Sequence, residues 1–264
     1  KKEEELLKIF FILFLPLFLF SKIQIVTYFP LETKIVKKIA QKEVVTREIT
    51  ARYLPTFRNI PKSEVSRLSN SKIYFHFGLD VEKEYEKILK EVNPNLIVVD
   101  MSKDVDKLGN NPYFWTDPFA LRVVAKNIYE TMIQIDKQKT DFYKENYENF
   151  LEEVDDTFLK IKQKIYGSEV LEVYAFDDYW DYFANRFRIK IVKKEKKYLN
   201  ITEIPSAVQF TKDRNIKKLL YYNGMDYNVA LSLSSNLNVE ILEDDIFGDI
   251  WQLNLINFSQ NLFK

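Results

Sequence analysis

Apolar positions along this chain change their spacing twice. Residues 23–28, 44–49, 73–77 and 96–99 are short runs rich in β-branched and aromatic side chains, whereas 31–40, 63–69 and 81–91 carry a helical period. In the last of these, Val81, Tyr85, Ile88, Leu89 and Val92 share one face. From Pro118 to Tyr166 the pattern is helical, with no glycine and no further proline. Asp117 predicts an N-cap with Pro118 at the first helical position, and 136–140 interrupt the period. The spacing predicts one helix to about residue 135 and a second over 140–166, closed by Gly167. At 1.5 Å per residue the second is about 40 Å long, more than one small lobe needs. A second alternating series follows, with strands at 170–175, 189–192, 219–222 and 239–242 and helices at 179–187, 206–214, 226–235 and 249–263. Strands alternating with helices predict parallel sheets covered on both faces. The expected fold class is α/β: two Rossmann-like lobes with parallel sheets joined by a long rigid spine helix.

Residues 1–21 stand outside this pattern. A charged start precedes an apolar run, Ile9 to Phe20, of about 12 residues, too short to span a bilayer and suited to the core of a secretory signal. Glu3, Glu4 and Glu5 offset the positive end, and no small-x-small site precedes Lys22. The expectation is a signal peptide or N-terminal anchor at 1–21, an N-terminal lobe at 22–137, the spine at 138–167 and a C-terminal lobe at 168–264.

Composition narrows the chemistry. Lys+Arg and Asp+Glu both count 39, so no basic excess points to nucleic acid; the one basic cluster, Lys193 to Lys197, reads as a solvated surface. The absence of cysteine excludes disulfides, thiolate metal sites, cysteine nucleophiles and a lipoprotein anchor. A single histidine, His76, excludes a three-histidine zinc site. The five glycines are too scattered to write a phosphate-cradling loop or a nucleophile elbow. Adjacent carboxylates such as Asp155/Asp156, Asp177/Asp178 and Asp244/Asp245 are expected by frequency alone in a chain with 39 acidic residues. An enzyme is not expected; a hydrolase built on such carboxylates is the weakest reading.

One stretch is more specific. NPYFWTDP, Asn111 to Pro118, resembles the D-P-H-x-W-x-D-P motif of the metal-specific, zinc/manganese-type solute-binding proteins of ABC transporters. IVTYFPLETKIVKKIA (Ile25 to Ala40) is similar to that family's opening strand and helix, and IPKSEVSRL (Ile60 to Leu68) to its P-S-D-V-x-x-L helix start. SKIYFHFGLDVE (Ser71 to Glu82) resembles a strand and turn ending in N-G-L-x-L-E. Asp136, Tyr143 and Asn146 resemble the D-P…Y-x-x-N junction between the middle helices, and FDDYWDYFANRF (Phe176 to Phe187) the opening of the second lobe. The resemblance runs in order over nearly all of residues 23–250.

At the family's ligand positions the resemblance implies loss. In LPTFRNIP (Leu54 to Pro61), Pro55 falls where the first histidine stands and Phe57 on the neighbouring aromatic. Tyr113 replaces the second histidine, and Lys197 falls near the third ligand. The fourth, acidic, falls on the run Glu243–Asp244–Asp245. The resemblance thus implies a degenerate site, for Zn or Mn if for any cofactor. Substitute oxygens for a hard cation would be those of Tyr113, Asp244, Asp245, Asp177 and Glu203. Neutral tyrosine is a poor ligand, and a lysine at 197 would repel a cation.

His76 ends a predicted strand, where open α/β sheets bind ligands; its plainer reading is a hydrogen-bonded histidine packed between Phe75 and Phe77. The resemblance places Tyr113, Phe114, Trp115, Tyr179 and Trp180 around the interlobe cleft. Such walls suit an organic ligand or a metal chelate better than a naked ion, and their plainer role is to pack the lobes together. The family implies an exported monomer, periplasmic or otherwise extracytoplasmic, that holds a metal ion or chelate between its lobes and docks on a membrane permease. The alternative is a non-transport interaction protein that kept the scaffold; a cleft filled by Tyr113 and its neighbours would favour it.

Overall fold

The computed structural model describes residues 22–168, 172–175, 178–193, 201–222, 227–244, 246–248 and 250–264. Its first half alternates β1 (Ile23–Thr27), α1 (Pro30–Ala40), β2 (Val44–Glu48), α2 (Lys62–Leu68), β3 (Ile73–His76), α3 (Asp80–Val92) and β4 (Ile97–Asp100). The four strands form one parallel sheet in the order β2-β1-β3-β4. Ile25, Val26, Ile73, Tyr74 and Phe75 are fully buried, as central parallel strands covered by helices on both faces must be. The expected elements are found within one or two residues of their predicted bounds.

The middle is two helices, α4 (Ala120–Ile135) and α5 (Thr140–Ile165), with a 3-10 turn at Lys137–Lys139 between them. α4 begins two residues later than the sequence predicts. The Asp117 carboxylate accepts from the Phe119 backbone N–H at 2.9 Å and is also gripped by Arg186. Asp117 and Pro118 therefore form a turn before the helix rather than its first positions. α5 runs 26 residues, about 39 Å. Its buried positions Tyr143, Asn146, Phe150, Val154, Thr157 and Ile161 recur at three and four residues, one face of the helix. The same helix packs on α1 and α4 in the first lobe and on the last helix of the second, which makes it the spine joining them. Gly167, at φ 83°, supplies the left-handed residue that follows its end.

Beyond it lie β5 (Glu172–Ala175), α6 (Asp181–Phe187), β6 (Lys190–Lys193), α7 (Ile204–Asp213), β7 (Lys218–Tyr222), α8 (Tyr227–Leu237), β8 (Glu240–Asp244) and α9 (Trp251–Leu262). Their sheet is again parallel and ordered β6-β5-β7-β8, the arrangement of the first. The protein is thus two parallel-sheet α/β lobes joined by a long helix. Among the described residues no helix is long and apolar enough to cross a membrane.

Asn146 ties the spine to the first lobe. Its amide donates to the Ile39 carbonyl at the end of α1 (2.9 Å) and its oxygen accepts from Gln41 Nε2 (2.5 Å). Asn146→Ala leaves a buried helix-end carbonyl unserved and is expected to cost about 1–3 kcal/mol. A thermal melt by circular dichroism would register this as a fall of several degrees, whereas an unchanged midpoint would show the tie to be dispensable.

Candidate functional site

Both sheets turn the carboxyl ends of their strands toward the region between the lobes, where open α/β sheets place their ligands. From the first lobe come Tyr28 and Phe29 after β1, Tyr53 in the segment after β2, Phe77 after β3, and the loop carrying Tyr113, Phe114 and Trp115. From the second come Tyr179 ahead of α6 and Phe247 after β8. These side chains meet ring on ring. Tyr53 and Phe247 lie parallel, 4.1 Å between centroids and 1° between planes. Tyr113 touches Tyr179 at 4.3 Å, Trp115 edge-on at 5.5 Å and Phe247 edge-on at 5.9 Å. Phe77 stacks on Trp115 at 5.3 Å. The Trp115 indole N–H donates to the Ile246 carbonyl at 2.8 Å, fastening the two lobes across the same spot.

Polar contacts brace this aromatic plug along one side. The Tyr182 hydroxyl donates to the Asn111 carbonyl (2.9 Å) and accepts from the Leu108 N–H (2.8 Å). Asn111 Nδ2 donates to the Asp178 carbonyl at 2.7 Å. Arg186 clamps Asp117 through Nε to Oδ1 (2.8 Å) and a terminal nitrogen to Oδ2 (2.7 Å). The Arg186 guanidinium also lies 4.7 Å over the Phe119 ring.

Burial governs the phenols of this plug. Burial, then the neighbouring Tyr113 hydroxyl that hydrogen-bonds to it, pushes the Tyr53 phenol well above the ordinary tyrosine range. Burial, then Tyr85, does the same to Tyr28. Both phenols are therefore held in the neutral, protonated form. Among the described residues, no three His, Cys, Asp or Glu side chains gather to hold a metal ion.

The residues singled out from sequence are distributed as follows. Tyr113 and Trp115 lie in the plug. Pro55 and Phe57 lie in the segment between β2 and α2; Phe57 is partly exposed and rests on Tyr85 at 5.0 Å. His76 ends β3, buried inside the first lobe, with its Nδ1 accepting from the Gly78 N–H at 2.9 Å and its ring tilted over Tyr74. Glu203 closes the 3-10 turn Ile201–Glu203, half-buried, and acts electrostatically on Tyr174. The Asp244 backbone ends β8 and its side chain lies outside the described residues, as do Asp245, Asp177 and Lys197. The structure therefore brings together Tyr113 and Trp115, and groups with them Tyr53 and Phe247, which sequence reasoning did not select. Phe247 follows the acidic run by two residues, and Tyr53 precedes the LPTFRNIP segment by one.

The family model for ZnuA, the periplasmic zinc-uptake complex component A, matches residues 25–251. No curated protein matches. A crystal structure of ZnuA is 18% identical, covers 92% of this chain and 98% of its own, and superposes with a TM-score of 0.81. An Mn-bound mutant of a periplasmic metal binding protein from Candidatus Liberibacter asiaticus is 14% identical over 92% of this chain and 100% of its own, with a TM-score of 0.79. The Cd-bound form of that protein, also 14% identical with the same coverage, gives 0.78. At such identities the solved structures establish the shared fold.

Proposed function

The chain belongs to the ZnuA family, zinc-uptake complex component A, and from that premise we propose that it works outside the cytoplasm as a solute-binding component of a metal-type ABC transporter whose ion site is degenerate. In this reading it is a monomer, not an enzyme, and it docks on a membrane permease. The observation that carries the reading is the parallel Tyr53–Phe247 stack, 4.1 Å apart, with Tyr113 against it. Aromatic rings and protonated phenols stand between the lobes in place of a shell of histidine and carboxylate. Such a surface suits a cargo with its own flat or apolar bulk, a zinc or manganese chelate, admitted when the two rings part. A bare Zn²⁺ or Mn²⁺ would have to strip its water for ligands that do not replace it.

The second reading, a non-transport interaction protein without cargo, is favoured by the closeness of the same stack, at van der Waals contact. Titration calorimetry on the purified protein separates the two. Zn²⁺ and Mn²⁺ are titrated first alone and then as complexes with citrate or histidine. The proposal predicts no heat and no rise in melting temperature with the bare ions, and saturable heat with a chelate. An intact family-type site at one hundred times its Kd would add about 2.7 kcal/mol of stability. One tightly held bare ion would overturn the degenerate site, and silence with every chelate would favour the interaction protein.

A further inference from the structure

Two carboxyl groups are buried beneath the first-lobe half of the plug, and neither has a cationic partner in contact. Glu32, in the first turn of α1, and Glu82, in the first turn of α3, are both fully buried. Glu32 accepts from the backbone N–H of Tyr28 (Oε2, 2.6 Å) and of Phe77 (Oε1, 2.9 Å). Glu82 Oε2 accepts from the Leu79 N–H at 2.6 Å. Glu82 Oε1 is buried with no hydrogen-bond partner, and the Glu32 carboxyl, whose Phe77 amide lies two residues from the Leu79 amide on Glu82, is its close neighbour. Two carboxylates cannot hydrogen-bond to each other unless one carries a proton.

The groups facing the pair do not neutralise it. From β3, His76 Nδ1 stands 3.6 Å from Glu82 Oε2 but already accepts the Gly78 N–H, so that nitrogen brings no proton. Tyr74 from β3 is a phenol raised by burial and then by Glu82 and Glu32; Tyr28 after β1 and Tyr53 after β2 are raised by burial, then by neighbouring tyrosines, with Glu82 adding less. On α3, Tyr85 bonds to the Arg58 backbone, Glu86 adds negative charge toward Tyr74, and the Lys83 ammonium, exposed, is paired with Asp80. The positive ends of α1 and α3 and three backbone N–H groups can hold one negative charge here. A second, buried beside the first, meets both desolvation and like-charge repulsion.

We propose that Glu32 and Glu82 share one proton and that this proton latches the loops carrying the first-lobe half of the plug. The amides it secures belong to Tyr28 and Phe77, whose rings contact Tyr53 and Trp115 respectively, and to Leu79 at the start of α3. Loss of the proton sets two charges against each other between the helix starts and releases those amides.

Burial first, then the Glu82 charge, raises the Glu32 carboxyl well above its ordinary range. A raised carboxyl contributes stability that is complete below the ordinary carboxylate range and lost as pH climbs through its own raised value. The latch is therefore closed at low pH and released on the alkaline side.

Infrared spectroscopy of the whole protein tests this. The wild type is expected to show the carbonyl band of a protonated carboxyl at neutral pH, and to lose it as pH rises. Over the same interval, amide-exchange protection at Tyr28, Phe77 and Leu79 is expected to fall at least tenfold beyond the intrinsic base dependence. In Glu82→Gln the new amide donates to an ionised Glu32, so the band disappears and protection no longer follows pH. Absence of the band in the wild type, its persistence in the variant, or protection indifferent to pH would each overturn the proposal. Should Glu82→Gln fail to fold, the wild-type band and its pH course decide alone. None of these readouts depends on the cargo.

Discussion

Trp115→Ala is expected to be the most damaging single change in the plug, costing about 3–5 kcal/mol, the range for emptying a buried aromatic site. Trp115 is only 2% exposed. It touches Phe29, Phe77, Tyr113, Phe114 and Phe247 with ring centroids 5.3 to 6.0 Å away. Five rings cannot collapse together into the space of an indole without disturbing the strand ends that hold them, so much of the cavity would persist. The substitution also frees the Ile246 carbonyl, which receives the indole N–H. Trp115→Phe separates the two contributions. It keeps most of the packing and loses the hydrogen bond, so a smaller loss of about 1–2 kcal/mol is expected. For a protein of this size the alanine variant should melt roughly 10 °C lower. A midpoint within a degree or two of the wild type would show that the rings do not hold the lobes.

The second large effect is expected at the Asp117–Arg186 pair. Asp117 is nearly buried and serves two purposes: it forms the turn before α4 by accepting the Phe119 N–H, and it receives both forks of Arg186. Arg186 is held against the Phe119 ring, and its own charge is favoured first by the Asp117 hydrogen bond. Asp117→Ala removes the turn-forming oxygen and leaves the guanidinium unpaired beside an aromatic face. Breaking such a pair in the interior costs about 3–5 kcal/mol. Because Arg186 retains access to water, a loss of about 2–3 kcal/mol is expected here. Arg186→Lys should cost nearly as much, since an ammonium cannot reproduce two parallel bonds to one carboxylate. A lysine variant as stable as the wild type would mean that charge, and not the planar fork, matters. Urea melts of Asp117→Ala, Arg186→Lys and the double variant supply both the loss and the coupling.

Much of the fold is legible along the chain because its signals are local. The period changes at residues 118 and 167, Gly167 stops the spine, and the strand runs between helical stretches place eight strands within one or two residues. The start of α4 differs from the local signal for a long-range reason. Asp117 and Pro118 look like a helix start, yet Arg186, far along the chain, takes the Asp117 carboxylate into a turn. The equality of the two sheet orders, likewise, has no local signature.

The aromatic plug is legible only where a motif marks it. NPYFWTDP pointed to Tyr113 and Trp115, and both lie between the lobes. Tyr53 and Phe247 could not be found this way, because their significance is the contact with each other, made from two different lobes. The carboxyl pair does leave a mark in the periodicity. Glu32 shares a helical face with Ile35, Val36 and Ile39, and Glu82 shares one with Tyr85 and Leu89. A glutamate on an apolar face needs a partner inside the protein.

In the proposed function, stacked rings occupy the place where an ion would sit. Crystals grown with excess Zn²⁺ or Mn²⁺ and measured at the metal's absorption edge test it directly. The predicted result is no anomalous peak between the lobes, with Tyr53 and Phe247 still parallel and in contact. A full-occupancy ion between the lobes, with those rings parted and oxygen ligands drawn in around it, would contradict it.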